Sequence, residues 1–413
     1  MPGILSLFRI VASTLNINGV KIMQSVTDAN NNLNNININT AGHESNSTIK
    51  KRLPGLDLVR STAALFVVSV HFFFNCGYYS TPLNDRVTFM MTVMRWLFLC
   101  CVPLYMMLTG YFKCNKEPNR QHYLSLIPVF AAYFIISTIK IFVGNYYYGK
   151  VYGIKEALSS FGNYTIAWYV GFYFSLMAIA PFLNRLWHSL RNKKEQHILL
   201  ISLACITTLY PVVSLFSASN TDIVSWIGSV AELAAPNYWQ MLYPLLYYFL
   251  GCYIRENKPH FNKLILFLII IAMVFINAGI SYKYAAGGNF IWGILGTVDC
   301  GYNCITVAIC STAIFLFLYD FDIKSKTAGF ILERISAVSL EIYLFSAIFD
   351  IIIFDHAKRL YFEMKDFAWL FFILVPINFI GSVLCSTIYR YLYDTVARFI
   401  KSRTSSKQKI DNT

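Results

Sequence analysis

This sequence is short of charge. Of its 413 residues, 13% are Asp, Glu, Lys or Arg, about half the share of an ordinary soluble chain. Glycine (21) and proline (12) are sparse and spread out, which excludes a collagen-like chain or a Pro/Gly-rich disordered one. The ten cysteines are scattered, most of them in apolar runs where a thiol behaves as a small hydrophobe. Cys300 and Cys304 are spaced to meet near a membrane face, but nothing else resembles a disulfide framework or a metal site. What the chain does hold is apolar surface: 56% hydrophobic residues, 17% aromatic. One soluble core cannot enclose that much, so lipid is the expected surrounding.

The net charge of +13 would suit a nucleic-acid binder, but its distribution does not. The basic residues sit in short clusters between long apolar runs, with no basic stripe interleaved with stacking aromatics. No nucleic-acid partner is expected. Residues 1–50 stand apart: Asn30 to Asn39 is mostly Asn and no apolar period runs through the segment, so a disordered Asn-rich tail is expected. The opening Ile4–Ala12 run is broken by Arg9 and lacks the layout of a cleaved secretory signal. Met23 is an alternative start.

Residues 51–395 read as one transmembrane domain, and 396–413 as a basic cytoplasmic tail. The domain carries ten runs long enough to cross a bilayer as helices, which takes about 20 residues. They cover 56–74, 87–112, 123–143, 164–183, 197–217, 238–254, 264–280, 301–319, 336–354 and 369–389. Residues 285–298 read as a re-entrant piece or as part of the eighth run. The runs are continuously apolar rather than alternating, so helices and not a barrel are expected. With the N-terminus inside, the cytoplasmic loops hold 21 Lys and Arg and the outer loops seven. That bias is the mark of a multi-pass protein with both termini cytoplasmic. The predicted fold is an all-α integral membrane protein, about ten helices in a single bundle.

An ionisable residue inside a span is costly and is by default functional or paired within the bundle. The first span has three: Asp57, Arg60 and His71. Asp57 and Arg60, three apart, are neighbours on one helix face. Arg60 and His71 are eleven apart, within about 20° of three full turns, so they share a face about 16 Å apart along the axis. An anion-binding group thus sits near the cytoplasmic end, with a titratable imidazole deeper in the membrane. The structural alternative is a pair of interfacial anchors and a core histidine bonded to a carbonyl. His71 is the one histidine of seven placed well inside a span, and imidazole is suited to general-base work near neutrality. Glu341 and Asp350 fall in the ninth span. Glu341, near the same membrane face as Arg60, is placed to pair with it across helices, which makes structural pairing its first reading. Arg95, followed by Trp96, fits an interfacial anchor or a substrate contact. Trp168, Trp239 and the many tyrosines fit belt or packing positions, though a Tyr- and Trp-lined cavity would also suit sugar rings.

These residues resemble the acyltransferase 3 family of multi-pass membrane acyltransferases. Leu56-Asp57-Leu58-Val59-Arg60 followed by His71 is similar to the family's Arg-x10-His signature on its first helix. Val102–Phe112 (VPLYMMLTGYF) is similar to its VPLFFMLSGYF-like stretch, and Arg120 with Ile127-Pro128 to the basic turn opening its third helix. Ala167-Trp168-Tyr169 with Ala180-Pro181-Phe182-Leu183, and ISAVSLEIYLFS around Glu341 and Tyr343, resemble two further patterns. The likeness spans roughly 50 to 390. It departs at Ser346, where many members have His, and at Tyr123, where the second Arg of an Arg-x-x-Arg element is missing.

The resemblance implies transfer of an acetyl (acyl) group from acetyl-CoA to a hydroxyl of an envelope or exported glycan or lipid-linked saccharide, at the cell membrane. It implies His71 and Arg60 as catalytic residues, and Asp57, Arg120, Trp168, Glu341 and Tyr343 as donor- or substrate-binding ones. Acetyl-CoA enters as a substrate, with no bound cofactor and no metal. The competing class is a multi-pass transporter or flippase for a sugar or lipid-linked substrate. Ten helices with buried charges suit that too, although no inverted repeat is evident.

Overall fold

The computed structural model describes residues 53–149, 167–217, 226, 230, 237–293, 301–360 and 363–410. The expected tail over 1–50 and most of the loop over 144–163 lie outside the described residues, as do positions 294–298. Among the described residues there is no β-strand, only an isolated antiparallel bridge between Pro82 and Asn289.

Helices stand at each of the ten expected places, but only some are long and apolar enough to span. Those are Pro54–Ser80, Arg86–Lys113, Arg120–Tyr148, Lys263–Ala285 and Met364–Phe399. A sixth follows if the bent pair Lys326–Ala337 and Ser339–Ala357 is one span. The expected spans over 164–183, 197–217, 238–254 and 301–319 are held by helices that are shorter or less apolar.

The first helix, α1 (Pro54–Asn75), starts with proline in its first turn, where the missing N–H costs nothing. The second run is not one rod. It divides into α2 (Arg86–Phe98) and α3 (Cys101–Lys113) around Leu99–Cys100. Pro103 in the first turn of α3 explains the break, because its ring cannot continue a helix from the preceding turn. The short α4 (Arg120–Leu124) then leads to α5 (Ile127–Tyr148) and, past undescribed residues, α6 (Trp168–His188). The fifth run likewise divides into α7 (Lys193–Thr208) and α8 (Tyr210–Ser217), with Pro211 just inside the second. Next come α9 (Tyr243–Asn257), α10 (Lys263–Ala285) and α11 (Ile305–Leu318). The last three are α12 (Lys326–Ala337), α13 (Ser339–Leu360) and α14 (Met364–Ile410).

Among the described residues, the most extensive helix packing is that of α3 on α9. A Cβ on Gly110 would overlap the Tyr248 carbonyl, and one on Gly251 would overlap that of Met107. Glycine at both places lets two backbones touch, the usual means of joining helices in lipid. α1 packs on α3, α12 and α13, and α13 also packs on α5 and α14. α1 is therefore central, and α3, α5, α6 and α13 contribute residues to the wall of a cavity beside it. The ninth run bends by 73° between α12 and α13, so α12 lies across the start of α1 instead of lengthening the span. Ser61 donates to the Leu332 carbonyl at 3.3 Å there. The last run extends past its expected end at 389, helical to Ile410.

Candidate active site

A cavity of about 710 Å³ runs along α1 from Arg60 to His71. Both side chains line it, as their eleven-residue spacing on one face requires. Of the other residues marked by sequence, Trp168 and Tyr343 also line it; Asp57, Arg120 and Glu341 do not. Asp57 is half-buried in the first turn of α1, and Arg120 is exposed at the start of α4. Glu341, expected to meet Arg60, pairs with Arg390 of α14 at 3.5 Å. The bend before α13 turns Glu341 toward that helix.

At the α12 end, Arg60 donates to the Ser336 hydroxyl at 3.4 Å and lies over the Phe112 ring, 4.7 Å from its centroid. Lys113 lines the same end, close enough for its charge and that of Arg60 to repel. The lysine is held there by the way α3 ends. Asn184 of α6 donates to the carbonyls of Lys113 (2.8 Å) and Lys116 (2.7 Å) and accepts from the Tyr248 hydroxyl at 2.6 Å. His188, one turn on, bonds the Cys114 carbonyl at 2.9 Å. Carbonyls that a helix end leaves without partners are thereby satisfied, and the end of α3 is fixed against α6. Among the described residues, no carboxylate lines this end.

The passage between the ends is aromatic. Ring centroids run from Tyr105 to Tyr169 (5.9 Å), Tyr169 to Tyr343 (6.3 Å) and Tyr343 to His71 (6.0 Å). Trp168 stacks on Tyr302 at 5.9 Å, and both line the cavity.

At the far end, His71 Nδ1 faces Asp350 Oδ2 of α13 at 3.7 Å. The second carboxylate oxygen of Asp350 accepts from Asn378 of α14 at 2.8 Å, and Asn378 in turn accepts from the Ser382 hydroxyl at 3.0 Å. Lys140 of α5 lines the same end and interacts electrostatically with Asp350. Asp350 was recognised in the sequence as an intramembrane acid but not assigned to the site. A signal was there: it follows Tyr343 by seven residues, two turns on the same face. Lys140 read as a span-end residue and Lys113 as a loop cation, and neither carried a further signal.

Ser346, standing where the resembling family has His, does not line the cavity. It is fully buried, its hydroxyl donating to the Tyr343 carbonyl at 2.9 Å. Arg95 is neither an interfacial anchor nor a cavity residue. It is fully buried, its guanidinium 4.4 Å from the Trp96 ring centroid and 4.5 Å from that of Phe290, with Nε donating to the Tyr79 hydroxyl at 3.3 Å.

A family model described as an acyltransferase domain, that of acyltransferase 3, matches residues 53–389. No curated protein and no solved structure matches the chain.

Proposed function

Since this chain belongs to the acyltransferase 3 family, a family of membrane acyltransferases, we propose that it is an O-acetyltransferase of the cell membrane. On this reading it takes acetyl from acetyl-CoA at the cytoplasmic face and passes it to a hydroxyl of an envelope or exported glycan, free or lipid-linked. The observation that carries the reading is one cavity with cations at one end and an imidazole–carboxylate pair at the other. Acetyl-CoA has its phosphates and its thioester at opposite ends of a long, thin arm. Arg60 and Lys113 suit the phosphates, a guanidinium being well shaped for them. The separation from Arg60 to His71, about 16 Å along α1, leaves the arm to the tyrosine-lined passage.

A sugar hydroxyl is a poor nucleophile near neutrality and needs a base as it attacks. His71 takes the hydroxyl proton while the oxygen bonds to the thioester carbonyl carbon. The tetrahedral intermediate collapses with cleavage of the C–S bond. The departing thiolate takes the proton from the imidazolium, giving an acetyl ester and free CoA. Trp168 and Tyr302, which also line the cavity, offer ring faces to a saccharide.

The test is acetyl-CoA labelled in its acetyl group, added to membranes with and without the chain, with label followed into glycan. Label in glycan only when the chain is present supports the reading. Movement of a sugar across the membrane with no acyl transfer would replace it with the transporter reading.

A further inference from the structure

We infer that Asp350 is a positioning residue for His71, holding the imidazole with its proton on Nδ1 so that Nε2 is left as the base. The inference rests on the reading of His71 as base and adds the group that directs it. The carboxylate faces Nδ1 at 3.7 Å, longer than a hydrogen bond. Apo geometries of this kind are often loose and tighten when the reaction assembles. As the acceptor hydroxyl gives its proton to Nε2, the ring becomes a cation. The facing carboxylate then stabilises it with no proton passing to Asp350, and the proton leaves with the thiolate.

Asp350 is itself fixed from a third helix. Asn378 donates to its Oδ1 and, at 3.2 Å, to the Ser346 carbonyl one turn earlier on α13. Ser382 donates to the Asn378 amide oxygen, which sets the amide so that its NH₂ faces the carboxylate. Asn378 is 3% exposed, and Ser382 and Ser346 are fully buried. A buried polar chain satisfied at each joint is rigid and orients what hangs from it. The residue at 346 therefore enters the site as a backbone acceptor, and the acid one turn on faces the histidine. Among the described residues, the charged and titratable groups facing Asp350 are His71 from α1 and Lys140 from α5, while Tyr343, two turns back on α13, lies against the His71 ring. Lys140 balances the carboxylate charge; His71 is the neighbour that changes charge during turnover.

The test is initial-rate acetyl transfer in membranes, each variant corrected for its level by blot. Asp350→Asn keeps the size and removes the charge. Its kcat should fall at least about tenfold, the scale of a lost partner to a working histidine, with donor KM within about twofold of wild type. In the His71→Ala background the same change should cost nothing further, because groups acting as a unit are not additive. Asp350→Glu, which keeps the charge and shifts it by one methylene, should recover part of kcat and serves as the deciding variant if Asp350→Asn does not accumulate. Wild-type kcat in Asp350→Asn, or an Asp350→Glu rate no higher than that of His71→Ala, overturns this inference alone. So does a loss that multiplies with that of His71→Ala. An active His71→Ala removes the base as well.

Discussion

The two ends of the cavity are built from different materials. At the α12 end, two cations, Arg60 and Lys113, meet a serine hydroxyl, an aromatic face and backbone, with no carboxylate among the described residues of the wall. At the far end, charges of both signs meet: Lys140, Asp350 and a histidine whose charge can change. Clustered positive charge attracts an anion and holds it by Coulombic force. A histidine set against a carboxylate suits the movement of a proton. On the proposed reading one end serves capture and the other chemistry, and the contrast predicts that substitutions at the two ends move different kinetic constants.

The largest effect belongs to the far end. His71→Ala removes the proposed base and should lower kcat by ~10²–10⁴ while the protein inserts at normal level. Acetyl transfer in membranes, with protein measured by blot, checks this. A His71→Ala protein working near the wild-type rate would erase the distinction between the ends and reopen the transporter reading.

At the α12 end the expected effect is smaller and falls on binding. Arg60→Ala should raise donor KM by roughly tenfold or more, the scale of a lost charge-assisted contact, with kcat changed less. Arg60→Lys should keep more activity than Arg60→Ala because the charge stays. Lys113→Ala should raise donor KM less than Arg60→Ala, an ammonium being a point charge without the fork. A fall in kcat at unchanged KM for either residue would place it with the reacting atoms.

One residue at each end of this contrast was legible in the sequence; their partners were not. Eleven residues on a helix make three turns, so Arg60 and His71 could be placed on one face from spacing alone. Motif resemblance added Trp168 and Tyr343. The partner of His71 was hidden because Asp350 comes 279 positions later and only the packing of α13 on α1 joins them. The pairing of Glu341 was misread for the same kind of reason. Its shared membrane level with Arg60 was clear from sequence, but Arg390 reaches it from α14. The 73° bend that sets this arrangement lies at Val338, where neither proline nor glycine announces it. The divided second and fifth runs, by contrast, had Pro103 and Pro211 in plain view. Charge counting reads which loops lie on which side, and it does not tell a spanning helix from a short one inside the bundle.

A finer test separates the cavity wall from what packs behind it. Ser346 lies one turn from Asp350 but off the cavity, its hydroxyl spent on the Tyr343 carbonyl. It contributes to the Asn378 link through its backbone oxygen, which alanine retains. Ser346→Ala should therefore keep acetyl transfer within about threefold of wild type, well short of the ~10² that a lost base costs. A hundredfold loss at normal protein level would mean that the ninth run has been misread and that position 346 acts on the substrate.

The smallest effect lies outside both ends, at Asp85, and shows what a charge pair does when it has no part in the site. Asp85 caps α2: Thr88 N–H donates to its carboxylate at 2.8 Å, and its own N–H reaches the Thr88 hydroxyl at 3.2 Å. Lys365 lies 2.6 Å from its other oxygen. The lysine first, then the Thr88 N–H, pushes its pKa down to about 2, against an ordinary value of about 3.9 for an unfolded chain. A depressed folded pKa gives stability that is complete above the unfolded value and is lost as pH falls through the folded one. Asp85→Asn keeps a capping side chain and removes the charge. In detergent its thermal midpoint should sit about 1 °C below wild type at pH 7, since exposed pairs contribute little. That gap should shrink from about pH 4 downward and be nearly gone at about pH 2. Donor KM and kcat at pH 7 should stay at wild-type values. A midpoint gap that persists unchanged at the lowest pH would mean that the cap rather than the charge carries the effect.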